Sequence, residues 1–166
     1  SLPGGGSATA SFTGGGAGCG LASAQFVPAA NPPAGLIFRQ GLFDFRLAGC
    51  TAGQSIEMTF SYATAPGTTY WKFGPTAARH ENHWYQMPGA TFSGTTVRFL
   101  ITDGGLGDDD LAANGEIVDA GGPATPQQVA AVPSLSDWAT AILAGLMLLL
   151  ARASFAPGLR RQGPRK

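Results

Sequence analysis

Ser55-Ile-Glu-Met-Thr-Phe-Ser-Tyr62 alternates along its length: Ile56, Met58, Phe60 and Tyr62 fall on one face, and Glu57, Thr59 and Ser61 on the other. Successive side chains of a β-strand point to opposite faces, so this period of two predicts a strand with one face in a core and one in water. The segments around it read the same way. Ser7-Ala-Thr-Ala-Ser-Phe12 lies between two Gly-Gly-Gly runs, and Leu42-Phe-Asp-Phe-Arg-Leu47 alternates. Thr68-Thr-Tyr-Trp-Lys-Phe73 and His83-Trp-Tyr-Gln-Met87 read as aromatic strands. Ala90-Thr-Phe92, a Ser93-Gly94 turn and Thr95-Thr-Val-Arg-Phe-Leu-Ile-Thr102 predict a hairpin. Short strands at this spacing, with no helical segment before the last thirty or so residues, predict an all-β antiparallel sandwich. Tyr70, Trp71, Phe73, Trp84 and Tyr85 are expected to fill its core, because aromatics on alternating strands usually do so. An exposed aromatic platform for sugar rings is the other reading of the same residues.

Composition agrees. The chain has 25 Gly and 12 Pro in 166 residues and only 12% charged residues, which argues against a helical bundle. It has no Gly-X-Y period, which excludes collagen, and its 44% hydrophobic content argues against general disorder. The net charge of zero hides a division. Residues 1–137 carry five Lys/Arg against all ten acids, a net of −5, and residues 138–166 carry five basic residues and no acid. A body of net −5 argues against nucleic acid as a partner.

Six of the ten acids lie in Asp103-Gly-Gly-Leu-Gly-Asp-Asp-Asp110-Leu-Ala-Ala-Asn114-Gly-Glu-Ile-Val-Asp119. Carboxylates so dense repel one another unless a cation or solvent screens them. Asp103, Asp108, Asp109, Asp110, Asn114 and Asp119 are hard oxygen ligands of the kind Ca²⁺ takes. The spacing is not that of an EF-hand: with Asp110 first, the third position is Ala112 and the twelfth Gly121. A solvated acidic turn fits as well, with Asp110 capping a short turn and Asn114-Gly115 in a type I′ turn. His80-Glu81-Asn82-His83 is one residue short of the zincin spacing and reads as polar turn then strand. Asp44, Glu57, Ser61 and Ser93 sit in no nucleophile elbow, and the Gly-Gly-Gly runs lack the lysine of a phosphate loop. No catalytic residue is identified, and the chain is expected not to be an enzyme.

The end of the chain differs in kind. Trp138-Ala-Thr-Ala-Ile-Leu-Ala-Gly-Leu-Met-Leu-Leu-Leu-Ala151 is apolar around its whole circumference, whereas an amphipathic surface helix would carry a polar stripe. Counted from Leu135 to Phe155, with Arg152 snorkelling, it reaches roughly 30 Å as a helix, the thickness of a bilayer's hydrocarbon. A single C-terminal transmembrane helix is therefore predicted. Arg152, Arg160, Arg161, Arg165 and Lys166 form a basic stop that orients the C-terminus to the cytoplasm. In an exported chain the pair Cys19 and Cys50 is most simply a disulfide, with two buried thiols as the alternative.

Two resemblances extend this reading. Val132-Pro-Ser-Leu-Ser-Asp-Trp138, an apolar helix and a basic end resemble the bacterial IPTL-CTERM sorting signal, Ile-Pro-Thr-Leu-Ser-Glu-Trp. Pro133, Leu135, Ser136 and Trp138 match outright, and Val132, Ser134 and Asp137 are conservative replacements. The resemblance implies an exported protein of a Gram-negative envelope, held at the inner membrane and handed to an exosortase-type processing enzyme. Upstream, Cys19, Gly41-Leu-Phe-Asp-Phe45, Gly49-Cys-Thr51, Tyr70-Trp-Lys-Phe-Gly-Pro-Thr76, His83-Trp-Tyr85 and the Asp103–Asp110 string resemble the choice-of-anchor U domain over about residues 5–124. That resemblance implies an extracellular module with no known activity.

The organisation expected is thus a sandwich over residues 1–122, a linker over 123–131 and a sorting signal over 132–166. The chain is expected to be a non-enzymatic surface or extracellular module, with calcium or carbohydrate binding, or fibre assembly through the apolar helix, as alternatives. Its opening in strand-like sequence with no signal peptide leads to the expectation of a piece of a longer precursor or a processed form.

Overall fold

The alternating segment around Phe60 forms one of the ten β-strands found among the described residues. The computed structural model describes residues 2–128 and, farther on, 139, 141–145 and 147. The strands are β1 (Ala8–Gly14), β2 (Gly20–Val27), β3 (Leu36–Ile37), β4 (Leu42–Ala48), β5 (Ser55–Tyr62), β6 (Thr69–Thr76), β7 (Arg79–Gln86), β8 (Thr91–Ser93), β9 (Thr96–Thr102) and β10 (Ile117–Pro126). All pair antiparallel in two sheets. One has the order β1-β5-β9-β8, the other β2-β4-β10-β6-β7 with β3 also on β10.

The two sheets share one core. Phe43, Phe45 and Leu47 of β4, Tyr70 of β6 and Ile117 of β10 meet Ile56, Met58, Phe60 and Tyr62 of β5 and Val97, Phe99 and Ile101 of β9. Aromatic pairs bridge the sheets, with ring centroids 5.1 Å apart for Phe43–Phe60 and 4.4 Å for Tyr70–Phe99. Each such ring removed from water contributes about 1.5–3 kcal/mol, so the alternation of β4, β5 and β9 holds the sheets face to face. The β8–β9 hairpin turns at Gly94, as its sequence predicts.

Three expectations need correction. Of the five aromatics assigned to the core, Tyr70 is buried there, but Trp71, Phe73, Trp84 and Tyr85 are only half-buried. Strand β6 turns Tyr70, Lys72 and Gly74 inward, so Trp71 and Phe73 face the other way, where Phe73 and Phe38 pack on Trp84. Residues 123–126, expected in a linker, are the end of β10, a strand paired on both sides, and the compact unit extends to Gln128. Asn114 does not adopt the positive φ of a type I′ turn, although Gly115 does.

Residues 129–166 form a separate unit. Its described residues Ala139, Ala141–Gly145 and Met147 are helical, with Ile142, Leu143 and Met147 exposed. Among the described residues no helix is long and apolar enough to cross a membrane. The expected motif Val132–Trp138, the basic residues Arg152, Arg160, Arg161, Arg165 and Lys166, and linker residues 129–131 lie outside the described residues.

Candidate functional site

Three connections carry the chain from one sheet to the other at the same end of the molecule: β1 to β2, β4 to β5, and the acidic segment from β9 to β10. Cys19 in the first and Cys50 in the second form a disulfide, with no free cysteine left. Backbone bonds tie the corner further: Thr51 N–H donates to Gly15 O (2.8 Å) and Cys50 N–H to Gly115 O (2.9 Å). Gly115 sits at φ 84°, and a Cβ there would lie 2.5 Å from Cys50 O, so glycine is required at this crossing.

The acidic segment closes the corner with its carboxylates. Asp103 is buried and accepts N–H groups from Gly53 (2.8 Å) and Gly115 (2.9 Å), with a longer one from Asn114. Asp108, fully buried, accepts from Gly104 (2.7 Å) and Val118 (3.1 Å). Burial pushes the Asp108 carboxyl up from its ordinary value, and those two N–H groups pull it back. Asp110 is exposed and caps the next turn through Ala112 N–H while accepting from the Asn114 amide, as a solvated turn would. Asn114 in turn accepts from Glu116 N–H. These side chains satisfy donors of a glycine-rich loop, and among the described residues no group of three or more His, Cys, Asp or Glu gathers to hold a metal ion.

Asp109 and Asp119 have different surroundings. Asp119, on the inward face of β10, is fully buried, and its Oδ1 lies 2.7 Å from Lys72 Nζ, itself fully buried on β6. The ammonium also donates to Gly107 O (2.7 Å) and stands 5.6 Å from the centre of the Phe99 ring. Neither Asp119 oxygen has an aligned hydrogen-bond donor, and Asp109 Oδ1 and the hydroxyls of Tyr70 and Tyr85 are likewise buried without a partner. Asp109 lies over Gly74 of β6, where any larger residue would collide with its carboxylate. Its backbone N–H donates to Val118 O (2.8 Å), beside Asp119.

Burial dominates the protonation of this cluster. It pushes Asp109 up to about 7, reinforced by the charge of Asp119 and opposed by Lys72. It pushes Asp119 up to about 6 against the opposing pull of Lys72. The Tyr70 and Tyr85 hydroxyls are raised by burial first and then by the negative charge of Asp119, which places both within its field. An amine and a carboxyl in contact with it, a second carboxyl and two phenols thus share one chamber, fully buried at Lys72 and Asp119 and half-buried at Asp109 and Tyr85.

The structure therefore divides the expected ligand set. Asp103, Asp108, Asp110 and Asn114 shape the crossover, while Asp109 and Asp119 face Lys72. Lys72 carries no motif of its own in the sequence. Its signal was the phase of β6, where Tyr70, Lys72 and Gly74 must point the same way once Tyr70 is in the core. His80 and Glu81 are exposed on β7, and His83 Nδ1 lies 2.8 Å from Glu81 O. Compared with known proteins, the chain matches no family model, no curated protein and no solved structure.

Proposed function

We propose that the β-structured unit is the display module of an exported, non-enzymatic surface protein, built as a β-sandwich and sorted through the segment from Val132 onward. The observation that carries this reading is the Cys19–Cys50 disulfide, because such bonds form and persist in oxidising compartments. The engagement of Asp103 and Asp108 with backbone N–H groups favours a structural role for the acidic loop over a hydrolytic one. At the other end, the apolar stretch 138–151 followed by five basic residues supports retention in a membrane with the C-terminus cytoplasmic. The exposed Ile142, Leu143 and Met147 suit contact with lipid. On this reading the chain is held at the inner membrane, an exosortase-type enzyme acts near Val132–Trp138, and the module passes to the cell surface or matrix. Its likeness to choice-of-anchor U domains and the IPTL-CTERM signal belongs to the same proposal.

Replacing both Pro133 and Trp138 with Ala in the native host tests it. Intact mass and fractionation should then show uncleaved protein accumulating in the inner membrane. Unaltered processing and surface delivery of the double variant would overturn the sorting role. A second reading, carbohydrate binding, is favoured by the half-buried aromatic face of Phe38, Phe73 and Trp84, since sugar rings stack on such faces. A glycan array probed with the protein and with Trp84→Ala separates the two.

A further inference from the structure

We propose that Lys72 and Asp119 condense into an intramolecular isopeptide bond, Nζ to Cγ, that covalently joins β6 to β10 inside the core. The chemistry is intrinsic to the folded unit and stands or falls independently of export and sorting.

The geometry brings the reactants together. β6 and β10 are neighbours, with Lys72 opposite Gly121, and Asp119 lies two residues along on the same inward face. The amine and carboxylate are 2.7 Å apart and both are fully shielded from solvent. The Lys72–Gly107 bond aims the amine, and Gly107 leaves it room, for a Cβ there would lie 2.6 Å from Nζ. Apart from the Lys72 ammonium, no donor reaches the Asp119 oxygens. A buried ion pair with so few supporting partners carries a desolvation cost that its mutual attraction offsets poorly. Condensation removes both charges and leaves a neutral amide.

The step balances without any co-reactant. The ammonium passes one proton to the carboxylate, leaving an amine and a carboxylic acid. Nζ attacks Cγ to form a tetrahedral carbon. The nitrogen then loses a proton, the departing hydroxyl gains one, the C–O bond breaks and water leaves as the C–N bond of the amide is completed. Asp109 is the group placed to carry that proton. It lies over Gly74 beside Lys72, is bonded through its N–H next to Asp119, has an unpartnered Oδ1 and titrates near neutrality. It accepts the proton from nitrogen as it gives its own to the leaving oxygen, and ends unchanged.

Intact mass of the full chain in detergent decides the matter. We expect it to fall short of the disulfide-bonded sequence mass by one water molecule. Trypsin should fail to cut after Lys72, and fragmentation should give a branched peptide linking Lys72 to Asp119, which distinguishes the bond from an aspartyl succinimide. Lys72→Arg and Asp119→Ala should each restore the full mass. Asp109→Asn keeps the reacting pair in contact and should slow bond formation during refolding by about 100-fold or more, with circular dichroism unchanged. Folded wild-type protein that keeps its full mass at neutral pH and is cut after Lys72 would overturn the bond. Condensation of Asp109→Asn at the wild-type rate would overturn the part given to Asp109.

Discussion

Asp103 and Asp108 at the corner, and Asp109 and Asp119 beside Lys72, are the same residue type within one short stretch, yet the fold treats them in opposite ways. At the corner, turns of Gly53, Gly104 and Gly115 present N–H groups that each buried carboxylate accepts. Inside the sheets the backbone donors are already committed to ladders, so Asp119 has only the charge of Lys72, while Asp109, half-buried in the connection before β10, has one carboxylate oxygen without a partner. A glycine-rich loop can solvate an anion with its own backbone, whereas a strand interior needs a counter-charge or a proton. One sequence feature, an acidic string, thus serves as two devices: a brace for three crossovers and a reactive chamber.

Removing the counter-charge should have the largest effect. Lys72→Met leaves Asp119 buried and unpaired and also removes the cross-link, so it should lower stability by at least about 3–5 kcal/mol in denaturant titrations at pH 7.5. The loss should shrink at pH 5, where the isolated carboxyls are protonated, and Lys72→Met with Asp119→Leu should recover the part due to the unpaired charge but not the part the cross-link supplies. A single mutant that melts like the wild type would put Lys72 on the surface. Breaking the brace comes next. Cys19→Ser with Cys50→Ser opens a 31-residue separation and should cost about 3 kcal/mol by the same titration. Asp103→Ala frees the N–H groups of Gly53 and Gly115 and should cost about 2–3 kcal/mol, with amide exchange at those two positions accelerated.

The asymmetry between corner and core also explains what could be read in the sequence. β4, β5 and β9 are legible because each buries one face and wets the other, so the alternation of Ile56, Met58, Phe60 and Tyr62 appears directly. β10 is hidden because it is buried along most of its length and paired on both sides. Its Gly121 leaves space for the Tyr70 ring, which a Cβ would approach to 2.7 Å. Pro123 falls where the ladder to β4 has ended and that to β3 has not begun. Packing demands thus wrote a linker-like composition into a central strand. β2 is missed for the opposite reason: an edge strand exposed from Leu21 to Gln25, with only Phe26 and Val27 half-buried at its end, it shows no alternation. The acids were found by their density, but density could not divide them, because the partners that do so are backbone groups and a lysine distant in sequence.

The pH response sharpens the division. Asp109 has its folded value raised from 3.8 to about 7, so the folded chain holds that proton more tightly than the unfolded chain. Its unfavourable contribution is absent below about pH 4, grows as pH rises and is complete above about pH 7. Stability should therefore fall between pH 5 and pH 8, by on the order of 1–2 kcal/mol once its partial exposure is allowed for. The groups that face it are Lys72 of β6, Tyr85 of β7, Asp119 of β10 and the adjacent Asp108. Asp109→Asn should flatten the slope and exceed the wild type at pH 8. A stability curve rising over that range in the wild type would show the carboxyl to be solvated.

Calcium should have the smallest effect, and its smallness follows from the same geometry. A Ca²⁺ ion needs six to eight oxygens, several of them free carboxylates converging on one point. At the corner the buried carboxylates point instead at Gly53, Gly104, Gly115 and Val118, and the cation would have to displace those N–H groups, leaving buried donors without acceptors. In the core, Asp119 is already engaged by Lys72, as an ion pair or as the amide, and offers a divalent ion no free carboxylate. Asp110 and Asn114 remain accessible, but two side chains on an exposed turn are too few. Melts of the full chain in millimolar Ca²⁺ and in chelator should accordingly coincide within about 1 °C. A clear rise with Ca²⁺ that Asp110→Asn abolishes would mean that the corner rearranges around a cation. The brace and the chamber would then differ less than their hydrogen bonds imply.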